Sequence, residues 1–571
     1  MSAERRTEEV IGRRVLIEEK GPADLSSSVQ SHFLPRQLVT LGFLSGQLPA
    51  SLISEAIARS LVAETGEKVL LLHVEVQANG ISGARTSQPD TFLNGEFHLP
   101  PEIRKTEGGF YALTLGVKSR PSSPGSVESL VTQLAAHFRH VLIEVRDCER
   151  ACIWLSEFLV RTDLAYLFTA PTQEAAYRLE TVHATARAQC LNGAIHIKPI
   201  VCLAKGEALD GFDALTQRVA APAHMFVRGC PAVSHRDRNA SGLLLPDSFR
   251  ADVRRLAREI GGRLVGLALS SGAAKGFAHI GVIQILEENG IEVDVVAGSS
   301  MGAYIGALWA YGLNGQELEG LAHELEGRWA LWSLIDPVFP PRQGFLRGHA
   351  VRRRLMRSVG TSRFADLQKP LRVIAGNLTT LDRVVFATGE VATAVHASMA
   401  VPGVCVPVII DGVAYIDGGV VDPLPADVLR EMGVGQVIAV NVIPTPDCMR
   451  SALAAEAELA RQKPRRRFFR KGLPVNQQLN YFARGNLFEI LVRSIHGAQM
   501  RLAEASSRLA DVVVRPECGD DRWLDCAHPG RFIALGRQAA EKHLAEIKRL
   551  VSKKETADEN ELIAESVATV A

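Results

Sequence analysis

VDVVAGSSMGAYIGALWAYG, residues 293–312, is the stretch on which the fold turns. Its opening run, VDVVAG (293–298), has the apolar density of a buried strand, and Met301 to Tyr311 has the Ala-rich and Gly-rich apolar character of a packed helix. Between them stands Gly298-Ser299-Ser300-Met301-Gly302, a G-x-S-x-G string. A strand that turns at once into a helix strains its central residue, and flanking glycines remove the side-chain clashes. The helix start then directs N–H groups and a positive dipole end toward any negative charge that develops beside Ser300. Taken alone, the string fits a Gly-rich turn equally well, so its neighbours must decide.

Two neighbours do. Ser270-Ser271-Gly272-Ala273-Ala274-Lys275-Gly276 follows the strand RLVGLAL (263–269) and opens a helix over 274–288. Small residues there let backbone N–H groups approach an oxyanion, and Lys275 adds positive charge. Downstream, Asp417-Gly418-Gly419 places a carboxylate between a strand-like run and a turn. An Asp before two glycines is ordinarily a turn residue. Beside a suspected nucleophile it becomes a candidate base.

The order of these elements from Leu267 to Asp427 resembles the patatin-like phospholipases: loop, G-x-S-x-G, the block HASMAVPG (396–403), then DGG. The resemblance is nearest to the bacterial relatives of neuropathy target esterase, and NLFEILVRSIHGAQMRLAEASSRLADVVVRP (486–516) is similar to that branch too. It implies a patatin-like three-layer α/β hydrolase domain and a Ser–Asp dyad, with Ser300 as nucleophile and Asp417 as the group that accepts its proton. It also implies an oxyanion hole from Ser271, Gly272, Ala273 and Lys275, framed by Gly298, Gly302, Gly418 and Gly419. The expected substrate is a phospholipid or lysophospholipid, hydrolysed through an acyl-enzyme with no metal and no cofactor. The chain departs from the family in the loop, where Ser270, Ser271 and Ala273 replace glycines. A side chain at any position needing positive φ costs about 1 kcal/mol or more. A scaffold in which the hydrolase has lost activity therefore remains the alternative. His279 reads as a packed helix residue. His496, following Asp417, offers the Ser…Asp…His order of another hydrolase class.

The N-terminal half has its own strand and helix alternation: LVTLGFL (38–44), a helix over 50–66 ending at Gly66, KVLLLHVEV (68–76), HVLIEV (140–145) and LAYLFTA (164–170). This predicts a second α/β layer structure with a parallel sheet. Its opening resembles ParA/MinD-like P-loop ATPases, and HVLIEVRD (140–147) takes the place of their Asp-bearing strand. Yet Gly42-Phe43-Leu44-Ser45-Gly46-Gln47-Leu48-Pro49 lacks the Gly-Lys-Ser/Thr that cradles phosphate and holds magnesium, so tight ATP binding is not expected. A degenerate P-loop-like domain with a regulatory or docking role is the reading.

The resulting plan is a loose arm (1–36), the P-loop-like domain (37–225), a turn-rich linker (226–262), the hydrolase domain (263–552, motif core 267–427) and a polar tail (553–571). Of 571 residues, 64 are Lys or Arg and 63 Asp or Glu, a formal net charge of +1 that gives no general case for nucleic-acid binding. One local patch stands out. ARQKPRRRFFRKG (460–472) clusters basic residues around Phe468 and Phe469, the makings of a membrane-surface contact. Nine scattered cysteines without a C-x-x-C pair, an N-terminus without an apolar core and no long uncharged apolar run predict a cytoplasmic protein, peripheral at most on the inner face of the membrane.

Overall fold

The computed structural model describes residues 37–76, 103–117, 124–146, 148–159, 161–189, 197–204, 223–231, 245–326, 335–340, 342–445, 450, 487–517 and 526–552. The arm 1–36, the basic stretch 460–472 and the tail 553–571 lie outside them.

Two sheets organise the chain. In the first, β1 (Gln37–Phe43), β2 (Val69–Val76), β3 (Arg104–Lys105), β4 (Tyr111–Val117), β5 (His140–Val145), β6 (Leu164–Thr169), β7 (Ile197–Leu203) and β8 (Met225–Arg228) stand in the order β3-β4-β2-β5-β1-β6-β7-β8. All neighbours run parallel except β3 with β4. Its helices are α1 (Ala50–Thr65), α2 (Pro124–His137), α3 (Cys148–Leu159) and α4 (Gln173–Gln189). Helix α1 stops as its sequence predicts: Gly66 takes φ 73° and its N–H returns to Val62 O.

After helix α5 (Asp247–Ile260), the second sheet is built from β9 (Val265–Leu269), β10 (Val295–Ser299), β11 (Leu371–Asn377), β12 (Arg383–Phe386), β13 (Val408–Ile410), β14 (Val413–Asp417), β15 (Gln436–Val440) and β16 (Val512–Val514). Its order is β13-β14-β11-β10-β9-β15-β16, with β12 also paired to β11. The central strands are parallel, whereas β12, β13 and β14 form the antiparallel side. Helices α6 (Ala278–Glu288), α7 (Met301–Tyr311), α8 (Gly315–His323), α9 (His349–Val359), α10 (Val391–Ser398), α11 (Ala426–Glu431), α12 (Leu487–Ser507) and α13 (Pro529–Val551) pack around it.

Alternation along the strands sorts the core into layers. Val265, Leu267, Leu269, Ile438 and Val440 face a core with α6, α7 and α13. Ala268, Val295, Ala297, Val437 and Ala439 face the opposite way, into a core that also holds Val39, Leu41, Phe43, Tyr166 and Phe168 of the first sheet. The two sheets thus share one apolar layer. Phe249, Val253, Leu256, Ala257 and Ile260 of α5 belong to it.

That layer corrects the expected linker over 226–262. The stretch supplies β8 and the amphipathic helix α5, whose apolar stripe at helical spacing is buried between the sheets. Ionic contacts surround the stripe. Asp252 holds Arg228 and Arg255, while Arg258 reaches Asp294 and Glu64. Glu259 meets Lys198 and His224 from the first sheet. Burial works against ionising Glu259, but the opposing pull of His224 and Lys198 prevails and holds its carboxyl down at about 2.

The loop expected to lack a phosphate cradle opens on buried apolar side chains. Phe43 and Leu44 are buried, and Phe43 stacks on Phe168 with ring centroids 4.7 Å apart. The Leu44 N–H donates to Phe168 O, and Arg178 reaches Leu44 O. On β5, buried Glu144 is held by His73 and Arg146; Asp147 lies outside the described residues.

Candidate active site

Sheet register brings the candidate dyad together. Ser299 at the end of β10 pairs with Ile374 of β11, and the next residue of β11, Ala375, pairs with Asp417 at the end of β14. Ser300 is the first residue past β10, so it arrives beside the same rung. There its hydroxyl donates to Asp417 Oδ2 at 2.6 Å. Asp417 Oδ1 accepts the Gly419 N–H at 2.7 Å. Both side chains are nearly buried. Desolvation pushes the Asp417 carboxyl up to about 6, against the lowering effect of the hydrogen bonds from Ser300 and Gly419. A carboxyl so placed can be ionised near neutrality and still be basic enough to take the serine proton.

The elbow is strained as its spacing predicts. Ser300 has φ 54° and ψ −118°, a left-handed conformation that a residue with a side chain rarely adopts. A Cβ on Gly298 would lie 2.6 Å from Gly302 C, and one on Gly302 would lie 2.3 Å from Leu269 O. Glycine is required at both positions because backbone, not a movable side chain, stands in the way. One further contact fixes the turn: the Ser300 N–H donates to Ser398 Oγ at 2.8 Å. Ser398 ends α10 within the HASMAVPG block, which the sequence marks as a unit without assigning this hydroxyl a role.

The loop after β9 is sorted by its own hydrogen bonds. The Ser270 N–H donates to Val440 O and its hydroxyl accepts the Val442 N–H, so Ser270 anchors the loop to β15. The Ser271 N–H donates to Pro423 O at 2.8 Å, and the Lys275 N–H donates to Gly272 O at 3.1 Å. The Ser271 and Lys275 amides are therefore already committed within the fold, which leaves Lys275 the charge expected of it but not an amide to donate. Gly272 and Ala273 remain, both lining the cleft with Ser300 and Asp417. Of the three positions where glycine is replaced, only Ala273 carries a positive φ, at 48°. At Gly272 a Cβ would strike Val442 Cγ2 at 2.4 Å.

The two histidines separate. His279 is buried, its Nε2 bonds to Ser270 O, and desolvation lowers its pKa to about 4, so it is a neutral packing residue. His496, with Ile495 and Gln499 on α12, does line the cleft. The Ser300 hydroxyl, however, is already engaged by Asp417 without a histidine between them. Burial and the nearby Lys275 depress the His496 pKa. Val401, Pro402 and Val420 complete the apolar part of the lining. Gln499 carried no local signal in the sequence, since its place in the cleft depends on where a helix that begins 70 residues downstream of Asp417 docks. Among the described residues, no group of three His, Cys, Asp or Glu side chains is placed to hold a metal ion, and no helix is long and apolar enough to cross a membrane.

Comparison with known proteins finds similarity over the same residues. Residues 267–430 match the family model of patatin-like phospholipases. Over 195 residues the chain is 34% identical to Lysophospholipase nte1 of Aspergillus fumigatus, a match covering 34% of this chain and 13% of that protein. Over 197 residues it is 32% identical to Lysophospholipase NTE1 of Kluyveromyces lactis, covering 34% of this chain and 14% of that one. The chain thus spans only about an eighth to a seventh of the length of these curated relatives. Among solved structures, similarity extends to a ParA family ATPase from Chlorobium tepidum (12% identity, TM-score 0.29, covering 39% of this chain and 98% of that one). It extends also to VipD from Legionella pneumophila (15% identity, TM-score 0.26, covering 50% of this chain and 67% of that one). Loop, elbow and DGG meet in one cleft, and the family model is laid over the same residues, so the segment 267–430 is similar to the patatin-like phospholipases and the chain shares about a third of its length with lysophospholipases of the NTE1 type.

Proposed function

We propose that this protein hydrolyses the acyl ester of a phospholipid or lysophospholipid through Ser300 and Asp417. The observation that carries the reading is the 2.6 Å hydrogen bond from Ser300 Oγ to Asp417 Oδ2, made on a strained elbow inside a cleft. Asp417 takes the serine proton as Ser300 Oγ attacks the ester carbonyl. The Gly272 and Ala273 N–H groups receive the oxyanion, each such donor being worth about 3 kcal/mol in the transition state. Collapse expels the alcohol with the proton from Asp417 and leaves an acyl-Ser300, which water hydrolyses.

The protein meets its lipid from the membrane surface. Strand β11 runs past the level of Ser300 before turning, and its turn exposes Leu378 and Leu381; Ile409 of β13 and Phe339 are also exposed. These apolar tips suit insertion at the headgroup boundary, and the sequence offers the basic stretch 460–472 as a candidate contact for anionic headgroups. The first sheet, which lacks phosphate-binding lysine in its opening loop, serves as a docking or regulatory module.

Fatty acid release from lysophosphatidylcholine, compared between wild type and Ser300→Ala, tests the hydrolase. Wild type should release acid while the variant stays at background. Equal rates from the two proteins would overturn the reading.

A further inference from the structure

The Ser271 hydroxyl stands out in the cleft. The residue is only 3% exposed, and its Oγ has no hydrogen-bond partner among the described residues. Its neighbour Ser270 spends its hydroxyl on Val442, so the two serines that replace family glycines are not equivalent. A buried hydroxyl left unpaired is costly, and one that lines a cleft marks a place where a polar group from outside the protein completes it.

The surroundings identify that group. A methyl built on Gly419 would lie 2.8 Å from Ser271 Oγ, 2.8 Å from Gln499 Nε2 and 2.9 Å from Asp417 Oδ1. A hydroxyl, an amide and the carboxylate of the dyad thus crowd one small region beside Gly419. All three residues line the same cleft as Ser300. Donors and acceptors of both kinds, gathered within a few ångströms of a base, suit a water molecule rather than an acyl chain.

We propose that Ser271 and Gln499 are positioning residues for the water that hydrolyses the acyl-enzyme, a step that presupposes the hydrolase reading above. The water gives one proton to the Asp417 carboxylate while its oxygen bonds to the acyl carbon. The oxyanion forms at the Gly272 and Ala273 N–H groups. Collapse breaks the bond from Ser300 Oγ to carbon, Ser300 recovers its proton from Asp417, and the carboxylic acid departs. Holding the water in place spares the entropy of recruiting it.

The test is a partition experiment with a p-nitrophenyl ester in buffer containing methanol. Acid and methyl ester arise from one common acyl-enzyme, so their ratio does not depend on how much of a variant is folded. In Ser271→Ala and Gln499→Met the methyl ester to acid ratio should rise about tenfold or more over wild type, the loss expected when an aligned reactant is set free. The nitrophenol burst that reports acylation should keep its rate. An unchanged ratio in both variants, with normal wild-type turnover, overturns the water site and leaves the hydrolase standing. Burst and ratio falling together would make Ser271 an oxyanion donor instead, and also overturns it. No Ser300-dependent turnover in wild type removes the hydrolase reading itself, and the water site with it.

Discussion

Ser300 and Asp417, 117 positions apart, are joined by a 2.6 Å hydrogen bond that sheet register sets. Ser299 faces Ile374 and Ala375 faces Asp417, so a slip of one residue at β10–β11 or β11–β14 would carry the serine and the carboxylate apart. The dyad rests on three strands of a buried sheet, while the Gly272–Ala273 donors rest on a loop tied down at both ends. The proposed nucleophile and base are therefore the rigid part of the cleft, and the loop proposed to hold the oxyanion is tied to its surroundings by single hydrogen bonds.

The first prediction concerns pH. The proton acceptor proposed above, Asp417, is a buried carboxyl with its pKa raised to about 6. It accepts a proton only when ionised, so kcat/KM should climb with a slope near one as pH rises toward 6 and level off above it. Asp417→Asn should lower the plateau about a hundredfold to ten-thousandfold, the usual worth of a general base. A profile flat between pH 4.5 and 8 would assign the titration elsewhere.

Ala273 tests what the altered loop costs. At φ 48° an L side chain is disfavoured by about 1–2 kcal/mol. Ala273→Gly removes that strain, while the looser unfolded chain takes back about 0.4–1 kcal/mol. The expected net gain is up to about 1 kcal/mol in urea unfolding, with kcat/KM held within about threefold because the N–H keeps its direction. Ser271→Gly should show no such gain, since Ser271 has no positive φ to relieve.

Gly298 and Gly302 were legible because a strand-to-helix turn demands glycine at fixed offsets whatever else the protein does, whereas the pairing of Ser300 with Asp417 was expected from the resemblance and not from either local string. The commitments of the Ser271 and Lys275 amides were not legible. The first depends on Pro423 O, brought up from 152 positions away, and the second on the loop tightening into a 3-10 turn over Ala273–Phe277. Helix α5 teaches a different lesson. Phe249, Val253, Leu256, Ala257 and Ile260 already carry a helical stripe, but the Gly, Pro and Ser before it masked the signal and suggested a linker. Strand β8, of four residues, is too short to announce itself, and its place comes from pairing with β7.

Ser398 should matter out of proportion to its distance from any substrate. Its hydroxyl accepts the N–H of the nucleophile itself, in a fully buried setting. Ser398→Ala leaves that N–H unpaired, which should cost about 1–3 kcal/mol of stability. Freed of the restraint, the elbow should lose about tenfold to a hundredfold in kcat. Ser398→Thr, which keeps the hydroxyl, should recover most of the kcat loss. Failure of threonine to rescue would point to packing instead.

Glu259 should be a keystone of the layer between the sheets. It meets Lys198 of β7 and His224 just before β8 from a helix buried in the apolar layer that the two sheets share. Glu259→Ala leaves the half-buried Lys198 with Met432 O alone and His224 without its carboxylate, and the expected loss is about 3 kcal/mol. The folded carboxyl titrates at about 2 against its ordinary 4.5. The folded state thus binds its proton less tightly than the unfolded one, so the stability from ionising Glu259 is present above pH 4.5 and lost as pH falls toward 2. Wild type and Glu259→Ala should therefore converge in Tm on acidification.

Asp417 has the opposite sign, and here function and stability part. Its pKa is raised from 3.8 to about 6, so the folded state binds the proton more tightly than the unfolded chain does. Stability contributed by the protonated form is present below pH 3.8 and is lost as pH rises through 6, reaching about 3 kcal/mol at neutral pH for a shift of this size. Asp417→Asn removes the buried charge, and its amide can still pair with Ser300 Oγ and the Gly419 N–H. At pH 8 the variant should therefore be nearly inactive yet more stable than wild type, by up to about 3 kcal/mol. At pH 4 the two should unfold at about the same urea concentration. A variant less stable than wild type at pH 8 would mean that the carboxylate holds the fold together. The same geometry that readies Asp417 to take a proton would then no longer be maintained against the stability of the chain.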